Sequence, residues 1–89
     1  MVVYAIVYTK KAVKDIPHLK AAGLAQKAQA LIELMKSNPY QTPPRYEKLK
    51  GDLQGAYSRR INYQHRLVYE VLDDIKTIKI ISVWTHYES

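Results

Sequence analysis

The C-terminal third of the chain, residues 57–87, constrains the fold most strongly. It contains three runs rich in Tyr, Ile, Val and Thr, at Tyr57–Asn62, Arg66–Leu72 and Lys76–Thr85. Such residues favour β-strands because their side chains pack well on a pleated, half-buried surface. Only three residues, 63–65 and 73–75, separate successive runs. Connections this short join antiparallel strands, so the pattern predicts a three-stranded antiparallel meander.

The first half of the chain predicts one strand followed by two helices. Met1–Tyr8 is a nearly continuous apolar run, which favours a buried strand in a central position of the sheet. Thr9 can cap the helix that follows, and Pro17 either kinks that helix or makes it break and restart. A second helix is predicted at about Leu24–Ser37, where apolar residues recur at helical spacing. The two helices are expected to form a hairpin across one face of the sheet.

A proline-rich loop connects the helices to the meander. Residues 38–45 carry three of the four prolines in the chain, and regular structure is expected to end there. An 89-residue chain has room for one modest core. We therefore predict a single α+β domain over residues 1–89, in which an N-terminal strand and a helical hairpin precede an antiparallel β-meander in one twisted sheet.

The charge and the absence of cysteine bound the function. Fourteen Lys and Arg against eight Asp and Glu give a net charge of +6, which favours RNA, DNA or an acidic protein as partner, or serves solubility alone. Without cysteine there is no disulfide and no thiolate metal site. The charges at Lys10 and Lys11 follow the N-terminal apolar run, unlike those of a signal peptide, and no apolar run reaches the ~18 residues of a membrane span. The chain is predicted to be cytoplasmic, with no membrane partner.

Several polar residues of the meander are suited to catalysis. Successive side chains of a strand alternate, so Arg59 and Arg60 must point to opposite faces. The second strand starts, and the third ends, at the same edge of a meander, which brings Arg66 and His86 together. Glu47, on the segment that enters the sheet, can reach the same region. This set suits cleavage of RNA without a metal or cofactor, with a carboxylate as base, arginine as anion clamp and histidine as acid.

Each of these candidates also has a plain structural explanation. Arg59 and Arg60 can be a solvated pair on a strand, and Glu47 can pair with Arg45 or Lys48 at the surface. Isolated Glu, Arg and His residues are common, so their spacing alone leaves the catalytic interpretation open.

Other polar and aromatic residues are predicted to be structural. His65 falls in a turn, His18 is expected to be a solvated helix residue, and Asp73-Asp74 are usual turn formers. Trp84 is expected to pack on the sheet. Tyr87, at the end of the last strand, stays open as a residue that stacks on a base.

Two segments carry a resemblance to a known family. The run YEKLKGDLQGAYSRRINYQHRLVYEV, followed by ISVWTHYE, strongly resembles the Txe/YoeB toxins of the RelE superfamily, which are the toxin halves of type II toxin–antitoxin modules. The resemblance extends to the N-terminal strand, the helices and the proline-rich loop. It implies a compact RelE-like α+β fold. It also implies ribosome-dependent, metal-independent cleavage of mRNA in the A site, which leaves a 2′,3′-cyclic phosphate.

The resemblance also implies roles for individual residues. By motif position, Glu47 is the general base, Arg60 and Arg66 bind the phosphate, and His86 is the general acid. Tyr87 is the terminal aromatic residue that helps to hold the scissile nucleotide. Two residues, 88 and 89, extend beyond the usual terminal His-Tyr.

The resemblance further implies partners. These are a cognate acidic antitoxin of the YefM/Axe type, the ribosome with mRNA in its A site, operator DNA only through the antitoxin, and a second copy in a homodimer. Arg59, next to Arg60, is included among the predicted substrate-binding residues. Two alternatives on the same fold are a catalytically silent relative that binds an acidic partner or nucleic acid, and a gyrase inhibitor.

Overall fold

The computed structural model describes residues 3–86, with His86 by its backbone alone. It contains two α-helices and a five-stranded mixed sheet, which confirms the α+β fold class. In chain order the elements are β1 (Ala5–Tyr8), α1 (Lys10–Ala21), α2 (Ala25–Ser37), β2 (Tyr46–Lys48), β3 (Tyr57–Arg60), β4 (His65–Leu72) and β5 (Thr77–His86). The strand order in the sheet is β1-β5-β4-β3-β2, and only β1 runs parallel to its neighbour.

Both helices form close to where the sequence predicts them. The Thr9 hydroxyl accepts a hydrogen bond from the Ala12 amide at 3.1 Å, so the predicted cap of α1 is confirmed. The helix continues through Pro17 to Ala21, and the predicted break and restart is wrong. A single missing amide is tolerated because the helix stays anchored by apolar side chains such as Ala12 and Leu19, which are buried on both sides of the proline.

The predicted central position of the N-terminal strand is wrong. Strand β1 lies at the edge of the sheet and pairs only with β5, Ala5 opposite Thr77 through Tyr8 opposite Ile80. Val7 is 46% exposed, whereas Ile6, on the opposite face, is half-buried against the core. The helices cover one face only, so an apolar run at the edge keeps its other face in solvent.

The predicted meander is confirmed as β3, β4 and β5, which pair antiparallel in sequence order. Strand β4 already begins at His65, and β5 extends one residue past its predicted end. The connection at Asp73–Ile75 is a single 3₁₀ turn. The sequence predicted no strand at residues 46–48, but β2 forms there; it pairs antiparallel with β3 and forms the other edge of the sheet.

One core joins the helices to the sheet. Both helices pack on the face from which Leu67, Tyr69 and Ile78 project. The buried apolar residues of this cluster are Ala12, Leu19, Leu24, Ala28, Ile32, Met35, Ile61, Leu67, Tyr69, Ile78, Ile80 and Val83. Neither helix in the described part of the chain has both the length and the apolar character needed to cross a membrane.

Candidate active site

Three neighbouring strands bring the predicted site residues together on one face of the sheet. Glu47 in β2 opposes Ser58 in β3, and Arg60 in β3 opposes Arg66 in β4. Ser58 and Arg60 are two residues apart and therefore share a face, and their cross-strand partners share it with them. Directly opposed residues have Cβ atoms roughly 4.5–5.5 Å apart. The sheet thus places one carboxylate and two guanidinium groups on neighbouring positions of one face.

Glu47 and Arg60 line the same cleft. Its volume is about 250 Å³, and its other lining residues are Pro44, Arg45 and Ser58. Glu47 is half-buried, Arg60 is exposed, and Ser58 is only 3% exposed at the floor. A carboxylate beside positive groups in a partly enclosed cleft can accept a proton while the arginines hold an anion.

The end of β5 completes this region of the sheet. Thr85 opposes Arg66, and the backbone of His86 opposes His65. The prediction that the second strand of the meander starts where the third ends is therefore confirmed at the level of the backbone. The side chain of His86 and all of Tyr87, which the sequence predicts as acid and nucleotide contact, lie outside the described residues.

Arg59 requires a correction. It lies on the opposite face from Arg60, is 1% exposed, and is neither a solvated surface residue nor accessible to a substrate. Its guanidinium donates to the Tyr69 hydroxyl at 3.0 Å, to the Pro39 carbonyl at 3.0 Å and to the Pro44 carbonyl. Burial raises the pKa of the Tyr69 phenol, and the neighbouring Arg59 charge acts in the opposite direction. The alternation of side chains predicted that Arg59 and Arg60 lie on opposite faces of the strand, but only the tertiary structure shows which of them is buried.

The predicted structural histidine and tryptophan pack against each other. His65 is 8% exposed and stacks on Trp84, with ring centroids 4.0 Å apart and an angle of 16° between the rings. His18 is exposed on α1, as predicted, and stacks near the same indole at 5.7 Å. Trp84 therefore packs on the sheet rather than offering a free ring to a base.

Two lining residues of the cleft were not predicted from the sequence. Ser58 and Pro44 line the cleft because β2 pairs with β3. No local sequence pattern predicts that pairing. A second groove of about 600 Å³ lies at the end of β2, and its lining includes Lys48 and Lys50. Within residues 3–86 no three His, Asp or Glu side chains come together in a way that would hold a metal ion.

Comparisons of the sequence with known proteins agree over most of the chain. A family model described as "YoeB-like toxin of bacterial type II toxin-antitoxin system" matches residues 8–87. Toxin YoeB of Synechocystis sp. is 38% identical over 65 residues, which are 73% of this chain and 73% of that protein. Toxin YoeB of Streptomyces coelicolor is 33% identical over 84 residues, covering 92% of this chain and 98% of that protein.

The fold is similar to solved structures of the same kind. A YoeB/ParE toxin from Agrobacterium tumefaciens has a TM-score of 0.82 and 32% identity, over 93% of this chain and 99% of that one. YoeB of Staphylococcus aureus, in a heterotetrameric complex with YefM, has a TM-score of 0.78 and 36% identity, over 94% and 98% of the two chains. The S. aureus YoeB dimer gives a TM-score of 0.79 at 36% identity, with the same coverage of both chains.

Proposed function

This chain belongs to the YoeB family of toxins from bacterial type II toxin–antitoxin systems, and we propose that it is a ribosome-dependent endoribonuclease that cleaves mRNA without a metal ion. The observation that carries the proposal is the cleft that Glu47 and Arg60 both line, with Arg66 directly opposite Arg60 on the neighbouring strand. Cleavage of RNA by its own 2′-hydroxyl needs these groups, a base next to positive donors.

The proposed reaction is a transfer within the RNA chain. Glu47 takes the proton of the 2′-hydroxyl as the 2′-oxygen attacks the adjacent phosphorus. Arg60 and Arg66 stabilise the negative charge that grows on the phosphoryl oxygens. His86 donates a proton to the departing 5′-oxygen, and Tyr87 stacks on the scissile nucleotide. The products are a 2′,3′-cyclic phosphate and a 5′-hydroxyl. One P–O bond forms as another breaks, and Glu47 gains one proton as His86 loses one.

The proposed partners follow from the charge and from the family. A net charge of +6 favours approach to ribosomal and messenger RNA in the A site. The S. aureus relatives form a complex with YefM and a dimer. We therefore propose an acidic antitoxin of that kind as the inhibitor of this chain, contact with operator DNA through that antitoxin only, homodimer formation, and a cytoplasmic location.

The Glu47→Gln variant tests the proposal. We expect single-turnover cleavage of mRNA on programmed ribosomes to slow by about 10²- to 10⁴-fold, because the amide cannot accept the 2′-proton. Glu70→Gln is the matched control, since Glu70 lies on the same face of β4 as Arg66 but opposes Lys79 in β5 and lies outside the cleft. It should cleave like the wild type, and the wild-type product should end in a 2′,3′-cyclic phosphate.

Two results would contradict the proposal. One is a folded Glu47→Gln protein that cleaves within a few-fold of the wild type. The other is a wild-type protein that leaves mRNA intact on ribosomes while it still inhibits growth.

A further inference from the structure

Arg59 is a buried cation that the proposed reaction does not use. Its three guanidinium nitrogens donate to the Tyr69 hydroxyl and to the carbonyls of Pro39 and Pro44. Its Cζ atom also lies 5.0 Å from the centre of the Tyr46 ring, in cation–π geometry. Burying a guanidinium is costly unless it is hydrogen-bonded, and here each of its three nitrogens has an acceptor, one hydroxyl or one of two backbone carbonyls.

These contacts join separate parts of the fold around β2. Pro39 and Pro44 lie near the two ends of the proline-rich loop, and Tyr46 is the first residue of β2. Tyr69 lies in β4, at the centre of the sheet, and is fully buried. Arg59 therefore connects the rigid centre of the sheet to both ends of the loop and to the strand that follows it.

Strand β2 depends on such support. It is three residues long, lies at the edge of the sheet and pairs only with β3. Short edge strands have few ladder hydrogen bonds to fix them. Yet β2 carries Glu47, and Pro44, whose carbonyl Arg59 holds, lines the same cleft. The position of Glu47 relative to Arg60 thus depends on the loop that Arg59 fixes from the other face.

We propose that Arg59 is a positioning residue for Glu47, acting through the loop and β2 and touching no substrate. The proposal rests on the proposed function of the cleft. A planar guanidinium can reach two carbonyls and a hydroxyl at once, whereas a lysine ammonium is a point charge on a flexible stem. Displacing a catalytic group by ~1 Å can lower a rate by about 10²-fold. Lysine at this position keeps the charge but loses the geometry.

The first experiment compares Arg59→Lys and Arg59→Met in single-turnover cleavage on programmed ribosomes. We expect both to slow cleavage by about 10- to 100-fold, with ribosome affinity within about threefold of wild type. Lys14→Met, on an exposed residue of α1, controls for the lost charge. Ile32→Ala, in the core of α2, controls for lost stability. Both controls should cleave at the wild-type rate once the folded fraction is taken into account.

The second experiment does not depend on activity. Amide hydrogen exchange in Arg59→Lys should speed up by about tenfold or more over residues 38–48, with α1 and β5 unchanged, because only the loop and β2 lose their anchor. Cleavage by folded Arg59→Lys and Arg59→Met within twofold of wild type would overturn the proposal. So would equal losses in the Ile32→Ala control, or unchanged exchange over residues 38–48. If the wild type fails to cleave while exchange still speeds up selectively, the proposed reaction fails and the anchoring of β2 by Arg59 stands.

Discussion

At the scale of single residues, Asp73 connects three segments that are distant in sequence. Its carboxylate accepts hydrogen bonds from the hydroxyls of Tyr4 and Tyr40, each at 2.6 Å. Tyr4 precedes β1 and Tyr40 lies in the proline-rich loop, so the contacts fasten both to the turn between β4 and β5. These bonds, first that of Tyr4 and then that of Tyr40, hold the pKa of the Asp73 carboxyl below its usual value. The hydrogen bond to Asp73 in turn raises the pKa of the Tyr40 hydroxyl well above its usual value.

We predict that Asp73→Asn removes a pH-dependent part of the stability. A carboxyl whose pKa is lower in the folded state stabilises the fold above its unfolded pKa of about 4, and this contribution is lost as the pH falls through the lower folded value. Urea unfolding from pH 7 to pH 2.5 should therefore show wild type and variant differing near neutrality and converging in acid. Asp74→Asn, at the adjacent exposed carboxylate, should follow the wild type. A constant difference between Asp73→Asn and wild type at every pH would contradict this account.

At the scale of elements, strand β5 pairs irregularly with β4 close to the site. Arg66 opposes Thr85 whereas Val68 opposes Ser82, so β5 contains one residue more than β4 between these pairs. A bulge of this kind takes backbone amides out of the ladder. The Val83 amide instead donates to the buried carboxylate of Asp15 at 3.3 Å.

Asp15 also accepts from the Ser82 hydroxyl at 2.9 Å and from the Lys11 ammonium at 3.2 Å. The Thr85 hydroxyl donates to the Ser82 hydroxyl at 2.7 Å. Helix α1 thus stabilises the bulge that leads into the last residues of β5.

We predict that Asp15→Ala lowers the free energy of unfolding by about 1.5–3 kcal/mol. The cost arises because the variant leaves the Val83 amide and the Ser82 hydroxyl buried without their charged acceptor. Lys11→Ala, which removes the exposed partner of the same ion pair, should cost under about 1 kcal/mol. Guanidinium unfolding of both variants measures the difference. Equal losses would show that the surface ion pair, rather than the support of the bulge, is the stabilising interaction.

At the scale of the whole molecule, part of the positive charge behind the net charge of +6 lies near the cleft. Arg60 and Arg66 lie on the face of the sheet that carries the cleft. These two positive charges would attract an acidic antitoxin segment to the surface that the proposed reaction uses.

We predict that the double reversal Arg60→Glu/Arg66→Glu weakens antitoxin binding by about tenfold or more and makes it less sensitive to salt. Each reversal replaces a positive by a negative charge and so lowers the net charge by two, from +6 to +2 for the pair. Lys14→Glu/Lys20→Glu, on exposed residues of α1, makes the same change in net charge away from the cleft. Titration calorimetry at two salt concentrations separates the cases. Equal weakening in both double variants would mean that total charge, and not this surface, governs binding.

The local pattern of the sequence determined most of the secondary structure. Residue types and short breaks predicted the meander, and apolar spacing predicted α2, because these signals act between residues close in sequence. Thr9 signalled the start of α1 in the same way. The types of residue needed for RNA cleavage were also visible, and alternation correctly separated Arg59 from Arg60.

Only the tertiary structure decided which elements meet. Strand β1 lies at an edge because it joins β5, some 70 residues away, and β2 exists because three residues pair with β3. Pairings between distant segments depend on how the whole core packs, which no local periodicity records. The same packing buries Arg59 beneath the proline-rich loop and leaves Arg60 at the cleft. Adjacent identical side chains thus have different roles, because Arg59 lies on the face of β3 that the loop covers and Arg60 lies on the face that carries the cleft.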